Sequence, residues 1–354
     1  MKNIIIATLL LAVIACSNKK DAAPQAASAL QTAPAKTLNV YTWTNYFHTK
    51  AIEKFESENN VKISFSYFSS NEELLAKLQA GAKGYDVIVP SGYVVQAMKS
   101  LELLESLNGK SLSEHKNLQK IFQSPPYDPE LEFVMPFAWG TTGLAVNTKR
   151  VKTKVDSWKS MYDDPSLAGQ ITMLDDPPEV LGSALKYLGY SLNERKPEAL
   201  ARAKALLKKQ KPALKAYNSE TIPLLESGDV AIAQSYSSDV AQVQDKHPHI
   251  QYVIPKEGTS IWADNLAIPR GAPSVDLARR FIAYMTTPEV AALQVEHLFI
   301  NPVVDMKNHP QAIARLKKAG LIPTDEQMKT LEYNSDDPEQ HEVISRVWTE
   351  LKAE

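Results

Sequence analysis

The chain has 354 residues, 44% of them apolar, enough for two ordinary globular domains. Its 39 basic and 41 acidic residues nearly cancel. The basic excess typical of a nucleic-acid-binding chain is therefore lacking, and any charged site must be assembled locally.

The first segment reads as an address. Lys2 gives a short positive start, and residues 4–15 form an apolar run interrupted only by Thr8. That run is too short to span a bilayer and has the length of a signal-peptide core. It ends in Val13-Ile14-Ala15-Cys16, and Cys16 is the only cysteine. We read residues 1–15 as a signal peptide and Cys16 as a lipidation site, which makes an intrachain disulfide impossible. A buried free cysteine in an anchor helix is the alternative. Residues 16–37 are rich in Ala, Gln, Ser, Thr and Pro and read as a flexible tether.

From residue 38 the pattern changes. Residues 38–43 and 61–67 alternate like strands, and 86–90 is a continuous apolar strand. Helical patterns cover 48–59 and 71–78, and another helix begins after Ser91-Gly92. This βαβαβ order gives an α/β class with a mixed, mostly parallel sheet. Further strands are expected at 131–138, 143–147, 170–174, 213–217, 230–234, 251–254 and 263–268. Helices are expected at 179–188, 199–208, 275–286, 288–298 and 339–352.

Ligands of open α/β sheets bind beyond the carboxyl ends of the strands, so polar residues there are the candidate site. Trp43-Thr44-Asn45-Tyr46, Ser91-Gly92-Tyr93, Asp175-Asp176-Pro177-Pro178-Glu179, Ser235 to Asp239, and Trp262-Ala263-Asp264 all qualify. They supply rings (Trp43, Tyr46, Tyr93, Tyr236, Trp262) and acids (Asp176, Glu179, Asp239, Asp264). Rings sandwich a methylene chain and attract ammonium groups, and carboxylates accept their hydrogen bonds. Singly, each ring could be core filler and Asp176 or Asp239 a helix N-cap. Asp264 within a strand is harder to explain structurally, because Asp is depleted there. No P-loop, GxGxxG, HExxH, CxxC or GxSxG pattern occurs, so no cofactor, metal or enzyme activity is expected. The closest histidine pair, His247 and His249, reads as an exposed turn.

These segments together resemble the spermidine/putrescine-binding proteins of bacterial ABC importers, from residue 38 to the C-terminus. The carriers are residues 40–46, 85–91, 139–143, 175–180 and 262–269. The resemblance implies a type II periplasmic-binding fold with two α/β lobes joined by crossing strands. Lobe 1 is expected over 38–145 with about 267–303, and lobe 2 over 146–266 with about 304–354. It implies that Trp43, Thr44 and Tyr46 line the site and that Ser91 and Tyr93 contact ligand. Asp176 and Glu179 would hold one ammonium end, with Trp262 and Asp264 near the ligand's middle. Ser219 matches more loosely. The chain departs from the family in four ways. Asn45 stands where spermidine-preferring members carry an acid, and Tyr236 replaces a tryptophan. Asp239 matches an acid of putrescine-preferring members. A family tyrosine is missing at residues 299–301, with Asn334 where a glutamine is common. Implied partners are spermidine or putrescine, the permease subunits of an ABC importer, and a bacterial membrane through lipid on Cys16. A monomer, extracytoplasmic and without nucleic-acid partners, is expected. Another small organic cation or amino-acid derivative as ligand, an adhesive lipoprotein with a vestigial cleft, and a thiaminase-like enzyme are the alternatives.

Overall fold

The computed structural model describes residues 36–353, apart from Asn45 and Asp336. The signal peptide, Cys16 and all but the last two residues of the tether lie outside the described residues. Those last two, Lys36 and Thr37, belong to the first strand instead. No helix among the described residues is long and apolar enough to cross a membrane.

The expected βαβαβ unit is present. It comprises β1 (Lys36–Thr42), α1 (Thr49–Asn59), β2 (Val61–Tyr67), α2 (Asn71–Gln79), β3 (Val87–Ile88) and α3 (Gly92–Ser100). β1 pairs in parallel with both β2 and β3. Leu38 and Val40 are fully buried on β1, and α1 turns Ala51, Ile52 and Phe55 toward the same core. Asn60 closes α1 in the left-handed region, a conformation that asparagine tolerates better than most residues.

The next strand, β4 (Val134–Asn147), is buried along its whole length. Two shorter strands are expected there, with a gap at residues 139–142. The strand runs through that gap, and its two glycines admit close neighbours. A Cβ on Gly140 would lie 2.2 Å from the Trp262 ring, and one on Gly143 would lie 2.5 Å from the Val253 carbonyl oxygen.

A second α/β unit follows. Its elements are α4 (Lys159–Tyr162), β5 (Ile171–Met173), α5 (Pro177–Tyr187), α6 (Pro197–Gln210), β6 (Leu214–Tyr217), α7 (Thr221–Ser227), β7 (Ile232–Tyr236) and α8 (Ser237–Lys246). Here β5 is central, parallel to β6 and β7. β8 (Ile250–Val253) runs antiparallel to the end of β4, and β9 (Ile261–Ala267) runs antiparallel to its beginning and to β3. β4 also pairs with β7, so its first half belongs to one group of strands and its second half to the other. The remainder is α9 (Val275–Met285), α10 (Pro288–Leu298), β10 (Asn301–Pro302), α11 (Pro310–Lys318), α12 (Asp325–Met328) and α13 (Pro338–Ala353). α9 and α10 pack on α1, while α13 packs on α5 and α6.

The hydrophobic cores follow this division. One gathers Leu38 through Trp139 with Ile261 through Met306. A second runs from Leu144 to Ile232 and includes Leu351, and a third joins Ala145, Val240 and Tyr252 to Phe299 and Leu316. The carboxyl ends of the parallel strands β1, β3, β5 and β7 lead directly into the segments that carry the candidate residues.

Candidate functional site

Asp264 lies in β9, opposite Ala138 of β4, and is 6% exposed. Two hydroxyls hold its carboxylate. Ser91 Oγ donates to Oδ1 at 2.5 Å, and Tyr46 OH donates to Oδ2. Ser91 stands at the N-cap position of α3, yet its hydroxyl does not cap the helix and is given to Asp264. Asn71, 3% exposed at the start of α2, fixes Ser91 twice: its Oδ1 accepts the Ser91 N–H and its Nδ2 donates to Ser91 Oγ, both at 3.0 Å. The same Nδ2 reaches Tyr93 OH at 3.1 Å, and Tyr93 OH donates to Glu72 Oε1 at 3.1 Å. Tyr46 is positioned from α10. Gln294 Nε2 donates to the Tyr46 carbonyl at 3.0 Å, and Gln294 Oε1 accepts the His48 N–H at 2.6 Å.

The second acidic group sits at the start of α5. Asp176 is its N-cap, accepting the Glu179 N–H on Oδ1 at 3.3 Å, with prolines at the next two positions. An N-cap fixes Asp176, and the residue three positions on faces the same side of the helix. Asp176 Oδ2 accepts Tyr236 OH at 2.7 Å. The hydroxyl that distinguishes Tyr236 from a tryptophan therefore holds a candidate acid. Glu179 is 6% exposed; its Oε2 accepts Ser260 Oγ at 2.6 Å and its Oε1 accepts Asn334 Nδ2 at 2.9 Å.

β9 ties the two groups together. Ser260, just before the strand, and Trp262 and Asp264 within it alternate onto one side, four steps from first to last, about 13 Å at the backbone. Trp262 lies between them and meets Tyr236 edge to face at 6.2 Å. Its ring rests where Gly140 lacks a side chain.

The electrostatics are one-sided. Burial raises the Asp264 carboxyl to about 6, although Ser91 and Tyr46 favour its charged form. Burial, reinforced by the neighbouring Asp176 charge, raises Glu179 to about 7. Asp176 is also raised, chiefly by burial, with the charges of Glu72 and Asp175 adding. Among the described residues, no lysine or arginine pairs with Asp176, Glu179 or Asp264; their hydrogen bonds come from neutral donors. Buried anions in this arrangement are costly until a cation joins them.

Not every expected residue joins the network. Trp43 donates its indole N–H to the Val89 carbonyl at 3.1 Å and packs edge-on against Phe68. Thr44 is exposed in the turn after β1, and Asn45 lies outside the described residues. Ser219 is exposed, and its Oγ accepts the Asp175 N–H at 3.0 Å, so it steadies the acidic loop from behind. Asp239 accepts Thr221 Oγ1 at 2.5 Å, and burial raises it to about 6. Asn71, Glu72, Ser260 and Gln294 were not expected. Only Ser260 lies close to a candidate segment; Asn71 and Gln294 carry no sequence signal, and Glu72 reads simply as an acid favouring a helix start. A cavity of about 190 Å³ lies away from these residues, between α5, α6 and α13, with mostly apolar walls that include Leu181, Leu185 and Ile344.

Comparison with known proteins gives the family and the fold. Residues 50–319 match the profile of the bacterial extracellular solute-binding proteins. The putrescine-binding periplasmic protein SpuD of Pseudomonas aeruginosa is 32% identical over 349 residues, spanning 91% of this chain and 94% of its own. The spermidine/putrescine-binding periplasmic protein of Escherichia coli is 32% identical over 324 residues, spanning 90% and 92%. The crystal structure of the TpPotD lipoprotein of Treponema pallidum, 29% identical, covers 89% of this chain and 99% of its own with a TM-score of 0.76. In sequence and in its mixed α/β fold, the chain belongs to the bacterial extracellular solute-binding protein family.

Proposed function

We propose that this protein captures a polyamine, spermidine or putrescine, in a cleft between two lobes and delivers it to an ABC permease. In this reading the lobes follow the hydrophobic cores, with β9 in the core of lobe 1 and not, as expected, mostly in lobe 2, and the chain bends where β4 passes from one core to the others. A lipid on Cys16 holds the protein at the outer face of a bacterial membrane.

One observation carries the reading. Asp176, Glu179 and Asp264 are bonded only to neutral donors, and β9 spaces the Glu179 end from Asp264 with the Trp262 ring between. A compact monocation cannot meet both ends of that strand. An alkyl chain with ammonium groups at intervals can, its methylenes lying against the ring. An α-amino acid would need a basic partner for its carboxylate, and these acids offer none. The relatives named for putrescine and for spermidine support the same choice. Ammonium–carboxylate contacts are worth about 1.5–3 kcal/mol each and ring contacts about 0.5–2 kcal/mol. After association costs, affinity on the order of micromolar follows.

Isothermal calorimetry of the purified protein with spermidine and putrescine tests the reading. Saturable binding of at least one is expected. Neither heat nor a thermal shift with any polyamine would reject it.

A further inference from the structure

The acids of the site occupy three separate positions. Asp176 and Glu179 share one, on a single turn of α5. Asp264 forms the second. The third is Glu72, exposed on the first turn of α2.

Glu72 joins the site through a continuous chain of hydrogen bonds. From Asp264 the chain runs to Ser91, then to Asn71, then to Tyr93 OH, which donates to Glu72. From the other side, the Glu72 charge reaches Asp176, and both charges act on Tyr93. Glu72 therefore lies at the rim, tied to the Asp264 group by bonds and to the Asp176 group by charge.

Resting on the polyamine reading above, we infer that Glu72 is a specificity-determining residue that accepts a third ammonium and so favours triamines over diamines. Two ammonium groups are accommodated by the two buried positions. A diamine leaves the rim acid facing water, where its charge is screened and contributes little. A triamine carries one more charge than the buried positions need, and Glu72 is the acid joined to Asp264 through Tyr93, Asn71 and Ser91 and acting by charge on Asp176. Asp239 is the competing candidate, since it is also acidic and follows the carboxyl end of β7. Its hydrogen bonds run to Thr221 and Ser238.

The test is calorimetry of Glu72→Gln, Asp239→Asn and Glu53→Gln against spermidine and putrescine. Glu53 is an exposed acid on α1 and controls for general loss of negative charge. Glu72→Gln is expected to weaken spermidine about 5- to 20-fold while putrescine stays within twofold, with Glu53→Gln changing neither. Equal weakening of both amines, or no change in either, would overturn the inference. So would loss of triamine preference in Asp239→Asn but not in Glu72→Gln. A wild-type chain that binds neither amine overturns the polyamine reading itself, and this inference with it.

Discussion

Acidification should weaken polyamine capture steeply, because the acids proposed to receive the ligand are already close to protonation without it. Burial places Glu179 near 7 and Asp264 near 6. An ammonium against either carboxylate favours the charged form, so both groups ionise fully on binding. The ligand's terminal amines are alkylammonium groups like that of lysine and stay charged throughout. Each acid then raises the apparent Kd by one plus ten to the power of its pKa minus the pH. At pH 8 both factors are near unity. At pH 6 they are about 11 for Glu179 and about 2 for Asp264, together roughly 20-fold. At pH 5 they are about 100 and about 11, on the order of a thousandfold. Spermidine titrations between pH 8 and 5 measure this directly. Repeating the pH 7 titration in buffers of different ionisation enthalpy counts the protons, and about half a proton or slightly more should be released. Affinity unchanged down to pH 5.5, or protons taken up on binding, would refute the reasoning.

The same groups govern the ligand-free protein with the opposite preference. Folding raises Glu179 from an ordinary 4.5 to about 7, so the folded state holds more protons across that window. That contribution to stability should therefore be fully present below about 4.5 and lost as pH rises through 7, so thermal melts of the ligand-free protein should climb from pH 8 to 5.5. Saturating polyamine should flatten or reverse that trend. Asp264→Asn removes a desolvated charge but keeps one oxygen for Ser91 or Tyr46. It should leave the empty protein as stable or more so, while weakening spermidine about 10- to 100-fold by calorimetry. Gly140→Ala would set a methyl group 2.2 Å from the Trp262 ring and 2.7 Å from Ser237 Oγ. Overpacking of this kind costs about 1–3 kcal/mol, and a displaced ring should weaken binding several-fold. An unchanged melting temperature together with unchanged affinity would show that the ring does not sit against the ligand.

The sequence makes the strand-end segments legible because strand periodicity and helix caps are local. Asp176, followed by two prolines and then Glu179, announces a helix with one acid as its cap and another in its first turn. Asp264 stands out because a strand rarely carries an aspartate. The partners that make these acids a site are not local. Ser260 meets Glu179 across 81 residues, Gln294 meets Tyr46 across 248, and Asn71 contributes through a side chain that reads as an ordinary helix start. No periodicity reports such convergence. The gap expected at residues 139–142 closes for a related reason: Gly140 and Gly143 lie within one strand, where the missing side chains record the close approach of Trp262 and Val253. Ser219 shows the converse, a polar residue near the acids that is spent on the backbone of Asp175.

β4 has a consequence for how this molecule can be cut and rearranged. Its fourteen residues give their first half to the β9 ladder and their second to β7 and β8. A nick between Thr141 and Thr142 would leave each fragment with a frayed interior where a ladder partner should be. Neither half could then be produced alone as a soluble miniature binder. Attempts to graft one half onto another scaffold should carry the whole of β4 with it.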